Sequence, residues 1–280
     1  MRIDAAVHVW SADAAAYPWS PPDGAPVPQQ SATVEELDAE LATVGFDGAV
    51  CIQPLAYGYD HRFLAGVLEA DGSRLDGGRL AGVCLVDPTA SGGPDDLAHL
   101  VRDVGCAGVR LLPYRQPTAA WLSGRDGDPL WEEIDRLGVP VSVLARPDQL
   151  GDVVERARRH PRTPIVIDHL AMVVPSENPS TVGRLLACAE LDNVHVKLSA
   201  FGFLSRAPWP YDDLHPMLRH VLAAFGPDRV LFGTDWPNTR AYGDYRLSVD
   251  MFDRAVDLDD TGRALVLGDN AGRLWGIGHA

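Results

Sequence analysis

Three residues offer reaction chemistry: His8, His169 and Asp235. A carboxylate such as Asp235 can take a proton from water and so make a nucleophile at neutral pH. Imidazoles can coordinate a metal, or polarise a carbonyl oxygen as it gains charge. Taken singly, each has an ordinary reading. A lone histidine at a strand end is commonly a satisfied hydrogen-bonding residue, and Gly233-Thr234-Asp235-Trp236-Pro237 is compatible with a turn. Their common placement at the ends of apolar runs is what singles them out.

Eight such runs, rich in Val, Ile and Leu, lie at Ile3–Val9, Gly48–Ile52, Leu80–Val86, Gly108–Leu112, Val139–Leu144, Ile165–Ile167, Val194–Leu198 and Val230–Phe232. Near-continuous apolar character suits parallel strands buried on both faces. Helical patterns alternate with them, at His61–Ala70, Pro94–Val104, Pro129–Leu137, Gln149–His160, Ser180–Leu191, Asp213–Phe225 and Arg246–Val256, with a last one near Thr261–Leu267. The first helix opens on Thr33-Val34-Glu35-Glu36, a capping box, and stops at Gly45. This alternation predicts one α/β domain over residues 1–280, a (β/α)8 TIM-type barrel, with a doubly wound open sheet as the alternative. Helix-to-strand connections are short, such as Gly45-Phe46-Asp47. Strand-to-helix connections are long, such as Trp10–Ala32 and Ser199–Asp212. Long loops therefore gather at the C-terminal face, where barrels carry their chemistry. The Pro-rich Tyr17–Gln29 stretch reads as a loop over that mouth. Barrel closure sets strand eight beside strand one, so His8, His169 and Asp235 are expected in one pocket.

Of the 280 residues, 46% are hydrophobic, enough for a large core without staples. The net charge of −15 opposes binding to nucleic acid or an anionic membrane surface. Cys51, Cys84, Cys106 and Cys188 form no CxxC pair and are expected as buried free thiols. The start shows no apolar signal region, and no run is long enough for a membrane span, so a cytoplasmic protein is expected.

At its strand ends the chain resembles the amidohydrolase superfamily, in the amidohydrolase-related branch that includes sugar lactonases and 2-pyrone-4,6-dicarboxylate lactonase. Asp4-Ala5-Ala6-Val7-His8-Val9-Trp10 resembles the first-strand motif D-x-H-x-H-x-W. Ile167-Asp168-His169 resembles the sixth-strand histidine, and Val196-Lys197-Leu198-Ser199 the seventh-strand segment. Arg229–Pro237 resembles the eighth-strand motif with the essential aspartate, and Gly268-Asp269-Asn270-Ala271 the C-terminal helix. The resemblance spans essentially the whole chain. It implies hydrolysis of a lactone or related cyclic ester, with Asp235 activating water and His8 and His169 polarising the carbonyl.

One departure stands out. Ala6 occupies the position of the first motif histidine, and alanine binds no metal. Leu144 and Arg110 stand on strands five and four, where metal-dependent members carry ligands. A binuclear centre is thus not expected. No cofactor is expected, or at most a single divalent metal such as zinc on His8, His169 and Asp235. The alanine fits a natural metal-free variant, a non-catalytic relative or an inactivating substitution.

Arg110, Asn238, Trp10, Gln53, Tyr57, Phe201 and Trp236 are expected to contact substrate. Met172 and Phe203 stand where dicarboxylate-specific relatives would carry arginine clamps, which predicts a more apolar or aromatic small molecule. A homodimer is the default assembly. His99, His160, His195, His215, His220 and His279 are read as surface residues, and His61 as a minor substrate contact. Two rival readings remain: a metal-dependent decarboxylase of the same superfamily, and a non-catalytic binding protein.

Overall fold

A computed structural model describes residues 1–11, 13, 15–21, 27–72, 78–116 and 119–278. Part of the Tyr17–Gln29 stretch, and His279, lie outside the described residues. Eight strands form one sheet in sequence order: β1 (Ile3–Val7), β2 (Gly48–Ile52), β3 (Leu80–Leu85), β4 (Gly108–Leu111), β5 (Val141–Val143), β6 (Ile165–Ile167), β7 (Val194–Leu198) and β8 (Val230–Phe232). Every neighbouring pair is parallel. Their residues are buried throughout, which is why the sequence shows solid apolar runs rather than alternation.

The barrel closes by a few bonds beyond the ends of β8. Asp235 N donates to Ala6 O at 2.8 Å, and His8 N donates to Trp236 O at 2.7 Å. Asp4 clamps the seam. Its Oδ1 accepts from the backbone of Ala6 and Thr234, and its Oδ2 from the hydroxyls of Thr234 and Tyr245. Burial raises the Asp4 carboxyl above the ordinary value despite these bonds. The motif aspartate is therefore a structural tie. The pairing of β1 with β2 shifts register between Asp4 and Val7, so β1 carries a bulge just before His8.

Helices α1 (Val34–Val44), α2 (Arg62–Asp71), α3 (Gly93–His99), α4 (Asp128–Leu137), α5 (Leu150–Arg159), α6 (Ser180–Ala187) and α7 (His215–Phe225) connect the strands, and α8 (Tyr245–Ala255) follows β8. Thr33 caps α1 by accepting from Glu36 N, and Gly45 ends it in the left-handed conformation. Only half of the expected capping box forms: the Glu36 carboxylate bonds Ser31 and Arg240 instead. The last helical segment runs on to Trp275, which is buried with Ile3, Val83, Val166 and Leu231 in a second apolar cluster. The four cysteines are buried and unpaired. No helix among the described residues is long and apolar enough to cross a membrane.

Candidate active site

Asp235 follows β8 in the left-handed region, at φ 66°, a conformation that aspartate tolerates better than most residues. Thr234, itself held by Asp4, accepts from Trp236 N and frames the turn. The Asp235 carboxylate is 14% exposed. Its Oδ1 lies 3.4 Å from His8 Nε2 and 3.8 Å from His169 Nε2. Asn238 Nδ2 stands 3.3 Å from both carboxylate oxygens.

The hydrogen bonds fix both imidazole tautomers. His8 Nδ1 faces the Ile52 carbonyl at 2.9 Å, and a carbonyl only accepts, so Nδ1 carries the proton. His169 Nε2 faces Arg110 Nη2 at 3.3 Å, and a guanidinium only donates, so Nε2 carries the lone pair. The His169 Nδ1–H then donates to Ser199 Oγ at 2.8 Å. His169 opens four successive residues with positive φ, through Met172. Such backbone costs about 1–2 kcal/mol per residue and marks strain at this strand end.

Arg110, on β4, donates through Nε to Asp168 Oδ2 at 2.7 Å. Lys197 Nζ, on β7, stands 3.0 Å from the other Asp168 oxygen. Burial would raise the Asp168 carboxyl, but Lys197 and Arg110 hold it well below the carboxylate range. Burial lowers His169 below the usual imidazole value, against the pull of Asp235 and Asp168. Burial also works to raise Asp235, and His169, His8 and Arg110 together outweigh it, leaving it below the ordinary value. Because His169 is held neutral near pH 7, the cation that touches its ring is Arg110. The arrangement thus presents an ionised carboxylate, two imidazoles and one oriented guanidinium.

A cavity of about 260 Å³ opens beside this cluster, and Arg110 belongs to both. Its walls are mostly apolar and aromatic, including Leu55, Tyr59, Leu85, Leu112 and Trp121, with Arg115 and Gln116 as polar members. Trp10, Gln53, Tyr57, Phe201, Trp236 and Asn238 are absent from that lining. Trp10 Nε1 bonds Gln30 O, and the Tyr57 hydroxyl bonds both backbone groups of Ser11. Gln53 Nε2 holds the carbonyls of Gly58 and Asp60. Phe201 packs on Phe232, and fully buried Trp236 lies under Arg240. Trp10, Tyr57 and Gln53 thus tie backbone groups of the mouth loops, Phe201 and Trp236 pack beneath them, and Asn238 stays on the Asp235 carboxylate.

Two histidine readings change. His61 accepts from Leu85 N and bonds Tyr59 O, so both ring nitrogens are occupied in holding a loop. His195 is buried in β7, only 8% exposed. Sequence reasoning missed Asp168, Lys197 and Ser199 as site residues. The available signal was polar residues inside runs that are otherwise apolar.

The residues fit a metal poorly. The lone pair on His169 Nε2 already accepts from a cation, Arg110, and Ala6 supplies no further donor. Among the described residues, no group of three or more His, Cys, Asp or Glu side chains is arranged to hold a metal ion.

Acid and base groups gathered beyond the strand ends of a parallel barrel define an α/β-barrel enzyme site. The family described as amidohydrolase matches residues 3–277, so the chain belongs to it and is a hydrolase of that kind. It is 30% identical to the L-fucono-1,5-lactonase of Burkholderia ambifaria, over 99% of this chain and 96% of that protein. It is 28% identical to the 4-sulfomuconolactone hydrolase of Rhizobium radiobacter, over 93% of this chain and 83% of that protein. A solved amidohydrolase of Burkholderia multivorans with bound zinc shares the fold, at TM-score 0.82, 24% identity and 99% coverage of each chain.

Proposed function

We propose that the protein hydrolyses a lactone or related cyclic ester without a resident metal. The observation that carries this reading is the Asp235 carboxylate set 3.4 and 3.8 Å from two ring nitrogens, beside a cavity that shares Arg110. The lactone-hydrolysing relatives support the substrate class.

In this reading Asp235 takes a proton from water, and the resulting hydroxide adds to the lactone carbonyl. Negative charge then develops on the carbonyl oxygen. The tautomers divide the polarising work differently from the simple two-imidazole scheme. Neutral His169 has no Nε2–H to offer; it accepts from Arg110 and steadies the guanidinium. Arg110, the cavity arginine that touches the reacting cluster, meets the oxyanion. His8 turns Nε2 toward Asp235, where it helps hold the water before attack and can take up a proton after it. Collapse of the adduct breaks the ring C–O bond. Asp235 returns its proton to the departing alkoxide, giving a hydroxy acid.

The cavity favours a substrate with an apolar or aromatic body whose carbonyl reaches Arg110. Two arginines, Arg110 and Arg115, stand among these walls, so a substrate carrying one carboxylate is also accommodated. The decarboxylase reading asks for a metal on paired histidines, and Ala6 removes one of the pair. The test is turnover of a lactone panel, spanning sugar lactones, muconolactones and alkyl lactones, by enzyme treated with chelator. Acid release from at least one lactone supports the reading. Activity only after added metal, or carbon dioxide release from an aromatic acid, contradicts it.

A further inference from the structure

We propose that Asp168 and Lys197 form a buried positioning relay that fixes the Arg110 guanidinium on the reaction centre. This rests on the hydrolytic reading above for its kinetic test. Both side chains are fully buried, and neither belongs to the cavity wall. A buried ion pair is no better for stability than well-packed apolar residues of similar size. Apolar Val83, Val166 and Leu231 fill much of the barrel interior. The charges therefore need a reason beyond packing, and their geometry gives one.

Asp168 Oδ2 takes the Nε–H of Arg110 at 2.7 Å, which sets the plane of the guanidinium. That leaves Nη2 directed at His169 Nε2, 3.3 Å away, while Arg110 also lines the cavity. Lys197 Nζ, 3.0 Å from Asp168 Oδ1, pairs by charge with the second oxygen. Lys197 is itself pinned: Nζ lies 3.3 Å from Ser142 Oγ and 5.1 Å from the centre of the Trp275 ring. The chain of contacts runs from Lys197 on β7, through Asp168 just past β6, to Arg110 on β4. Asp168 and Lys197 touch no reacting atom in this scheme. They are positioning residues, acting through Arg110.

The test is a double-mutant cycle on the full chain with a lactone that the wild type hydrolyses. Asp168→Asn is expected to lower kcat about 100-fold with KM nearly unchanged, the size of effect that a misplaced catalytic group produces. In an Arg110→Gln background the same change is expected to have almost no further effect, because the relay's target is gone. Lys197→Met is expected to lose about tenfold, with the same silence in the Arg110→Gln background. Independent losses that multiply, or a loss confined to KM, overturn the relay. If Asp168→Asn fails to fold, the paired variant Asp168→Asn/Lys197→Met removes both charges together and carries the cycle. A second readout needs no substrate: hydrogen exchange of the Arg110 Nε–H by nitrogen-15 NMR. Slow exchange in the wild type that becomes fast in Asp168→Asn supports the relay, and unchanged exchange overturns it. Should no lactone be turned over, the hydrolytic reading fails and this NMR result still decides the relay.

Discussion

Nε2 of His8 lies 3.4 Å from Oδ1 of Asp235, while the other nitrogen of that ring is committed to the Ile52 carbonyl. In the neutral ring both facing atoms are acceptors. Something with protons to donate belongs with them: a shared proton, or a water that donates to both. That pairing is the physical root of the proposed chemistry, since the same water has its own lone pairs left for attack.

Asp235→Asn keeps the shape of the side chain and removes its capacity to take a proton. Loss of the base is expected to lower kcat by about 1,000-fold. The carboxylate is partly exposed and makes few bonds, so the melting temperature should stay within a few degrees of wild type. Steady-state kinetics with a thermal melt check both halves.

Ser199→Ala removes the acceptor that holds the His169 Nδ1–H. The ring can then turn or change tautomer and release Arg110. A lost hydrogen bond of about 1 kcal/mol corresponds to a roughly five- to tenfold fall in kcat. A side effect on folding alone would leave kcat per folded molecule unchanged.

Two pH effects follow from burial. Activity needs Asp235 ionised and His169 neutral, and both groups titrate below their ordinary values. The acid limb of kcat/KM is therefore expected below pH 6.5, the ordinary imidazole value. Stability has a separate signature at His195, whose imidazole burial lowers to about 4. The unfolded chain takes up that proton first as pH falls. The contribution is complete above about pH 6.5 and disappears as pH drops through about 4, amounting to about 3 kcal/mol. Denaturant unfolding of wild type against His195→Phe, at pH 7 and pH 4, isolates it as a reduced pH dependence in the variant.

Ala6→His restores the residue type of the D-x-H-x-H motif. Ala6 is fully buried, and a Cβ on Gly233 would come within 2.7 Å of its own Cβ, so the seam is tight. Overpacking there is expected to destabilise the fold by about 1–3 kcal/mol. Metal-free lactone hydrolysis should fall rather than rise. A gain in activity without added metal would place a missing catalytic group at this position.

Much of this was legible in the sequence. The strands showed themselves because parallel barrel strands are buried on both sides, and the ends of β2, β6, β7 and β8 are as expected. His8 and Asp235 could be paired because closure must set β8 against β1. Other features depend on three-dimensional detail. Asp168 and Lys197 come from neighbouring stretches of the barrel, and no spacing in the chain reveals that the Asp168 carboxylate takes both Lys197 and Arg110. The mouth aromatics Trp10, Tyr57 and Trp236 look like ligand contacts by type. Their packing and backbone bonds, which decide between a wall and an anchor, exist only once the loops are folded.

The most direct measurement is kcat/KM for a lactone hydrolysed by chelator-treated wild type, set beside Asp235→Asn under the same conditions. The account predicts undiminished turnover by the metal-stripped wild type and near-complete loss in the variant. Loss of wild-type activity on chelation, or a variant as fast as wild type, would contradict it.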